Sequence, residues 1–289
     1  MEYIAVNIVL DPHQEETEGI LVAELDAIGY EGFQTEEHVM TAYVPAKTYN
    51  ETHLRIVLNT YGIQDFTKTY IPYKNWNADW ELRFSPILLE TGKGCSVRAP
   101  KNGSMVPVWP EVAYKLVIKP ELAFGTGHHP TTLMMMEALL TMEQAGLIKN
   151  KRVLDFGTGT GILAILAAKM GAAAPVHALD TNIQSVRSCR ENALLNKADQ
   201  QIRVHHAGPA AIQKGRYGLI LANIHRNVLI EEMDTMARGL EPGTSRLLLS
   251  GFFTTDIPAF IEAGQKNNLT LYEQKENEGW SLLHFIKTT

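Results

Sequence analysis

The sequence has 289 residues, of which 45% are hydrophobic, so it can bury a core and disorder of the whole chain is excluded. Its formal net charge of −6, from 26 Lys and Arg against 32 Asp and Glu, argues against non-specific nucleic-acid binding and is compatible with a basic protein partner. The apolar runs are too short for a membrane span, the N-terminus resembles no signal peptide, and two cysteines fit a reducing compartment, so we expect a cytoplasmic protein.

The first part of the chain predicts a small α+β domain. Residues 3–10 alternate as a half-buried strand does, with Ile4, Val6, Ile8 and Leu10 on one face. The patterns that follow predict, in chain order, a helix over 16–28, a strand pair over 33–44, a helix over 54–61 and a strand over 66–71. Two helices on one face of an antiparallel sheet would bury this pattern. We therefore expect a domain over residues 1–71, which is either a structural appendage or a substrate-recognition module.

Regular periodicity fades after this domain. Trp76, Trp80 and a segment containing Gly and Pro (91–104) predict an interdomain linker over residues 72–104 with a short helix.

From residue 105 onward, strands and helices alternate. The patterns predict strands over 109–119, 152–156, 176–179, 203–205, 219–222, 246–249, 269–274 and 280–286, and helices over 131–145, 162–170, 184–195 and 228–240. In the helix over 184–195, Val186, Cys189, Ala193 and Leu194 are predicted to face inward. The alternation predicts an α/β domain over 105–289, with a mostly parallel sheet covered on both faces and closed by an antiparallel pair.

A glycine-rich turn follows the strand at 152–156. The segment VLDFGTGTGIL places Gly157, Gly159 and Gly161 at alternate positions, and an apolar helix begins immediately. Glycine lets the backbone turn tightly and approach a ligand, and the amides of a helix N-terminus point at the bound group. The turn therefore predicts a site for a nucleoside-type ligand.

Two acidic residues narrow the choice of ligand. Asp155 stands two residues before the first glycine, where a carboxylate would repel a pyrophosphate and attract an ammonium group. Asp180 ends the next apolar strand, where a carboxylate accepts hydrogen bonds from ribose hydroxyls. An adenosyl group with an amino-acid tail satisfies both, so the sequence predicts S-adenosylmethionine and argues against an NAD-linked dehydrogenase. For Asp155, capping of nearby loop amides is the alternative.

A second glycine-containing segment, LAFGTGHHPTT (122–132), precedes a helix that begins near Pro130. His128 and His129 are adjacent, but no further ligands with suitable spacing surround them, so we predict no metal site. Phe124 is expected to pack against the cofactor or substrate, or against the core.

Together these residues resemble the methyltransferases that modify large-subunit ribosomal protein eleven. The resemblance covers most of the chain from Trp76 onward, and the small N-terminal domain also fits. The segments that carry it are LAFGTGHHPTT (122–132), VLDFGTGTGILAILAAKMGA (153–172), ALD (178–180) with RENALLN (190–196), LILANI (219–224) and LLLSGFF (247–253).

The resemblance implies an α/β fold: a class I S-adenosylmethionine-dependent methyltransferase (Rossmann-like) domain with a small N-terminal α+β ferredoxin-like domain that holds a basic ribosomal protein. It implies methyl transfer from S-adenosylmethionine to lysine side chains, with the N-terminal amine as a further candidate acceptor. We expect a monomer with no stable nucleic-acid binding. With the motifs above, the predicted cofactor-binding residues are Phe124, Thr132, Asp155, Gly157, Gly159, Gly161, Asp180 and Asn223.

Asn223 is the predicted catalytic residue. Burial and a neighbouring sulfonium both lower the pKa of an incoming lysine, so we predict no dedicated base. Asn223 ends a buried strand and would hold the nitrogen through a carbonyl, while capping of the following helix is the alternative. The alternative functions are a methyltransferase for another protein, RNA or a small molecule, and a non-catalytic adenosyl-binding regulator.

Overall fold

The computed structural model describes residues 2–10, 15–36, 38–71, 85–100, 111–119 and 125–287. The chain divides into two compact units, Met1–Trp76 and Asn77–Thr289. Among the helices within the described residues, none combines the length and the hydropathy that crossing a bilayer would need.

The first unit has the order strand, helix, two strands, helix, strand. Its elements are β1 (Tyr3–Val9), α1 (Glu15–Ala27), β2 (Gly32–Glu36), β3 (Val39–Pro45), α2 (Glu51–Thr60) and β4 (Phe66–Ile71). The strands form an antiparallel sheet in the order β2-β3-β1-β4. Val6 and Ile8 are fully buried with Leu21 and Leu25 of α1, so the alternation predicted for β1 is confirmed.

The second unit contains a three-stranded and a seven-stranded sheet. Its strands are β5 (Ile87–Leu89), β6 (Cys95–Arg98), β7 (Tyr114–Val117), β8 (Arg152–Phe156), β9 (Ala173–Asp180), β10 (Ile202–His206), β11 (Leu219–Asn223), β12 (Arg246–Phe253), β13 (Leu269–Asn277) and β14 (Trp280–Lys287). Its α-helices are α3 (Pro130–Gln144), α4 (Ile162–Lys169), α5 (Ile183–Leu195), α6 (Arg226–Glu231), α7 (Met233–Gly239) and α8 (Ile257–Lys266).

The larger sheet has the strand order β10-β9-β8-β11-β12-β14-β13. Strands β10, β9, β8, β11 and β12 pair in parallel, whereas β14 is antiparallel to both of its neighbours. Successive residues of β8 and β11 enter different buried clusters, since Val153 and Leu219 pack in one and Leu154 and Ile220 in the other. The sheet is therefore covered on both faces, as predicted, and the strand order reverses between β8 and β11, where such sheets open a crevice.

The segment predicted as a linker contains regular structure. Within its described part, β5 pairs antiparallel with β6, and β6 pairs in parallel with β7. Cys95 and Val97 of β6 are fully buried against the second unit's core, which explains why these short strands form. The proposed linker helix near Trp76 and Trp80 lies outside the described residues, and the predicted boundaries at 71 and 104 stay predictions.

Three details differ from the sequence prediction. The single helix expected over 228–240 is two helices, because the chain leaves helical geometry at Glu232. Helix α8 was not predicted, although Ile257, Phe260 and Gly264 form its buried face. Leu194 is 61% exposed, because it lies off the helical stripe that α5 buries.

Candidate cofactor site and active site

A cavity of about 580 Å³ lies at the carboxyl ends of the parallel strands. Pairing aligns these ends, since Phe156 is opposite both Leu179 and Ala222, and Asn223 is opposite Ser250. The cavity is lined by His129, Phe156, Gly157, Gly159, Asp180, Thr181, Asn182, Ser185, Pro209, Asn223, Ile224, His225, Val228, Gly251 and Trp280. Its volume suits a small-molecule ligand.

The glycine loop forms one wall of this cavity. Gly157, Gly159 and Gly161 have φ values of +72°, +54° and +82°, a region that L side chains rarely adopt. A Cβ at Gly157 would overlap the side chain of Ile224, and one at Gly161 would lie 2.6 Å from Cys189 Sγ. Gly157 and Gly159 line the cavity, whereas Gly161 serves the packing of the loop against α5.

Asp180 lies at the cavity wall at the end of β9. Its Oδ2 accepts a hydrogen bond from Gly159 N at 3.0 Å, and its Oδ1 accepts one from Asn182 N at 2.8 Å. The carboxylate is thus held in place by two backbone amides. Each oxygen can still accept a further hydrogen bond from a ligand hydroxyl.

Asp155 is oriented into the protein instead. It is 1% exposed, and its Oδ2 accepts hydrogen bonds from Thr158 Oγ1 at 2.6 Å and from Ala164 N at 3.2 Å. Burial is the largest influence on its carboxyl group and raises the pKa to about 6, although both hydrogen bonds act in the opposite direction. Asp155 is not among the lining residues, and its contacts are those of the loop-capping alternative.

Asn223 lines the cavity and is hydrogen-bonded to Thr132, which is not among the lining residues. Asn223 Nδ2 donates to Thr132 Oγ1 at 3.2 Å, and both residues are buried. Asn223 Oδ1 has no hydrogen-bond partner within the described part of the chain. Helix α6 begins after His225 as its N-cap residue, so the bond that Asn223 makes joins it to α3 and not to the following helix.

Several lining residues were not predicted from the sequence. His129 is the N-cap of α3 and packs edge-on against Trp280, with ring centroids 4.7 Å apart. Burial lowers the pKa of His129. Gly251 lies at the register shift in β12, where a Cβ would overlap the backbone of Ile224. The signal for Gly251 was its place in the LLLSGFF segment, whereas nothing near Trp280 in the sequence points to this cavity.

Phe124 and the question of a metal site complete the comparison with the sequence predictions. Phe124 lies outside the described residues. Among the described residues, the structure contains no group of three or more His, Cys, Asp or Glu that could hold a metal ion.

The cavity fits an adenosyl ligand. Asp180 offers acceptors for ribose hydroxyls, the left-handed glycines allow close backbone approach, and Ile224 and Val228 supply apolar surface. Asn223, which is hydrogen-bonded to Thr132, supplies a polar side chain at the end of β11. This sheet topology, with a glycine loop after β8 and an acid at the end of β9, defines a class I S-adenosylmethionine-dependent methyltransferase.

Comparison with known proteins identifies the family. The family described as "Ribosomal protein L11 methyltransferase (PrmA)" matches residues 4–288, so the chain belongs to the ribosomal protein L11 methyltransferase family. A ribosomal protein L11 methyltransferase of Porphyromonas gingivalis is 39% identical over 296 residues, covering 99% of this chain and 98% of that protein. One from Bacteroides fragilis is 35% identical over 292 residues, covering 99% and 100%.

A solved structure agrees with this assignment. The ribosomal protein L11 methylase of Lactobacillus delbrueckii subsp. bulgaricus aligns with a TM-score of 0.59 and 25% identity. The alignment covers 70% of this chain and 99% of that one. The resemblance stated from the sequence motifs is confirmed, and the cofactor is S-adenosylmethionine.

Proposed function

We propose that this enzyme transfers methyl groups from S-adenosylmethionine to amines of ribosomal protein L11 in the cytoplasm. The acceptors are lysine side chains, with the N-terminal amine as a further candidate. Family membership supports the substrate. The observation that carries the chemistry is at Asn223, which lines the cavity and whose buried Oδ1 has no hydrogen-bond partner among the described residues.

Asp180, Gly157 and Gly159 are proposed to hold the cofactor. Asp180 accepts hydrogen bonds from ribose hydroxyls, and the glycine backbone gives the adenosyl group a close fit. Thr132 contributes indirectly, because its hydroxyl accepts from Asn223 Nδ2 and so sets the orientation of that amide. When bound, S-adenosylmethionine supplies a methyl group activated by its sulfonium, so the protein need not supply a nucleophile or a metal.

The acceptor amine has to reach the cavity as the neutral base. A lysine with a pKa of about 10.4 is neutral in only about one molecule per few thousand at pH 7. Removal from water and proximity to a positive charge both lower that pKa. Ile224, Val228 and Trp280 supply apolar surface for this desolvation. No dedicated base is therefore required.

Asn223 is proposed to orient the neutral amine. Its Oδ1 accepts an N–H of the amine, which directs the nitrogen lone pair toward the methyl group. The hydrogen bond from Nδ2 to Thr132 restrains the side-chain amide of this cavity-lining residue. The backbone carbonyl of Asn223 offers a second acceptor.

Residues 1–71 are proposed as a ferredoxin-like substrate-recognition domain, joined through residues 72–104 to a catalytic domain over 105–289. The order β1-α1-β2-β3-α2-β4 in an antiparallel sheet supports the ferredoxin-like assignment. Acidic segments at 11–18 and 36–37, together with the net charge of −6, would attract a basic ribosomal protein.

The test is to incubate the full-length enzyme with radiolabelled S-adenosylmethionine and purified 50S ribosomal proteins, ribosomal RNA, or a small-molecule extract. We expect label in the protein that co-migrates with L11, and mass spectrometry to place it on lysines or the N-terminal amine. Label in RNA or in small molecules would replace the proposal with one of the alternative functions. Cofactor binding without any labelled product would favour a non-catalytic regulator.

A further inference from the structure

The segment RENALLN (190–196) has two buried asparagines that have no place in the site described above. Asn192 lies on the inward face of α5, and Asn196 is the C-cap residue of that helix. Both are buried, and neither is among the residues that line the cavity. A buried amide needs hydrogen-bond partners, so the partners of each side chain show what it holds in place.

Asn192 connects two separate segments. Its Oδ1 accepts a hydrogen bond from Lys119 N at 2.8 Å, and its Nδ2 donates to Thr160 O at 2.9 Å. Thr160 lies between Gly159 and Gly161, so one end of this bridge is the glycine loop itself.

The Thr160 carbonyl needs such a partner because it precedes helix α4. Gly161 is the N-cap residue, and its own carbonyl accepts the first helical bond, from Ile165 N. A loop with three left-handed glycines has many backbone conformations open to it, so fixed hydrogen bonds have to select one. The Thr160 hydroxyl adds a second anchor by donating to Gly125 O.

Asn196 is a natural comparison for Asn192. It follows Asn192 by four positions, and its side chain makes a reciprocal pair of bonds with the backbone of Val117. These bonds are 3.0 Å and 2.7 Å long, and they satisfy a buried side-chain amide, as the bonds of Asn192 do. Asn196 Nδ2 also donates to the backbone carbonyl of Asn192 at 2.8 Å, and among the described residues none of the side-chain bonds of Asn196 reaches the glycine loop.

We propose that Asn192 is a positioning residue for cofactor binding. By holding the Thr160 carbonyl it fixes the Thr160–Gly161 peptide, and so limits the conformations of the loop whose Gly159 N donates to Asp180 Oδ2. Asn192 itself does not contact the cofactor. The inference rests on the proposed placement of S-adenosylmethionine against this loop.

The test measures binding of S-adenosylhomocysteine to the full-length enzyme by calorimetry. Asn192→Leu keeps the branching and the number of side-chain heavy atoms and removes the bonds to Lys119 N and Thr160 O, and we expect the Kd to rise about tenfold, as for loss of a buried hydrogen bond. Asn196→Leu is the matched control, with an unchanged Kd and a similar loss of thermal stability. Asn192→Asp, which keeps the acceptor for Lys119 N and loses the donor, is expected to raise the Kd as well and serves if Asn192→Leu does not fold.

A kinetic measurement separates positioning from a general loss of structure. Asn192→Leu should raise the KM for S-adenosylmethionine while leaving kcat at saturating cofactor unchanged. An Asn192→Leu or Asn192→Asp enzyme with wild-type cofactor affinity would overturn the inference, as would an equal loss in Asn196→Leu. Asp180→Ala distinguishes a failure of the proposed cofactor placement from a failure of the role of Asn192. Wild-type cofactor affinity in Asp180→Ala would contradict the placement. Weakened binding in Asp180→Ala, together with wild-type binding in the Asn192 variants, would reject only the role of Asn192.

Discussion

The two ends of the cavity differ in how their polar groups are paired. At the end formed by β8 and β9, both oxygens of Asp180 accept backbone amides, and Asp155, which does not line the cavity, accepts two further hydrogen bonds. At the end formed by β11, Asn223 donates to Thr132, but its Oδ1 has no partner within the described part of the chain. The polar side chains at the first end are held by partners within the protein. At the second end, Asn223 Oδ1 is proposed to accept its hydrogen bond from a ligand.

This difference has an energetic meaning. A buried acceptor without a donor destabilises a folded protein by about 1–3 kcal/mol. Such a group is tolerated at a functional site because an incoming donor satisfies it. The comparison therefore supports the proposal that the β8–β9 end holds the cofactor and the β11 end orients the acceptor amine. Substitutions at the two ends should affect different measurements.

The largest effect is expected where the two ends meet, at Gly157. Alanine there would adopt φ near +72° and would overlap Ile224, the residue that follows Asn223. We expect a loss of about 1–2 kcal/mol from the left-handed backbone and a further loss of about 1–3 kcal/mol from the overlap. Chemical denaturation of Gly157→Ala measures the sum, and both cofactor binding and turnover should fall.

A second substitution separates the two causes. Ile224→Ala in the Gly157→Ala background removes the overlap and should recover that part of the stability, while the backbone part remains lost. A Gly157→Ala enzyme as stable as the wild type would contradict the geometry of this loop.

The next effect is confined to the β11 end. Asn223→Ala should lower kcat at saturating cofactor by about 10²-fold, since a misoriented nucleophile loses that order of rate. The Kd for S-adenosylmethionine should change little, because Asn223 is assigned to the amine. Asn227→Ala, at an exposed position on α6, is the control and should keep wild-type kcat. Full turnover in Asn223→Ala would reject the orienting role.

At the β8–β9 end, Asp180→Ala should raise the Kd for S-adenosylmethionine by about tenfold, the loss expected for one charge-assisted hydrogen bond. Calorimetry measures it directly. Asp234→Ala removes an exposed carboxylate from α7 and should bind the cofactor as the wild type does. If both variants bind equally well, Asp180 does not hold the ribose.

The glycine loop and Asp180 were predictable because their signal is local. A strand, three glycines and a helix lie within about twenty residues, and each part has its own sequence pattern. The partnership of Asn223 with Thr132 joins residues 91 positions apart, and only the family resemblance placed both in one site. His129, Gly251 and Trp280 were not predicted, because their elements become neighbours only after the sheet has formed.

Asp155 shows a different limit of the sequence. Its position beside the glycines favoured an ammonium contact, but the direction of a strand-end side chain depends on the register and on what packs above it. In the structure that side chain caps the start of α4 through Ala164 N. The sequence spacing predicts that Asp155 lies beside the glycine loop, whereas the direction of its side chain depends on the packing around it.

The smallest effect on cofactor binding is expected for Asp155→Asn, because an amide oxygen can accept from Thr158 and Ala164 as the carboxylate does. Its pH signature is distinct. The folded pKa is about 6 against an ordinary 3.8, so between these values the folded state binds more protons than the unfolded state. The wild-type free energy of unfolding should therefore fall as pH rises from about 4 to about 6, by up to about 3 kcal/mol. The free energy of unfolding of Asp155→Asn should lack this pH-dependent decrease. An identical pH profile in the two proteins would contradict the raised pKa of Asp155.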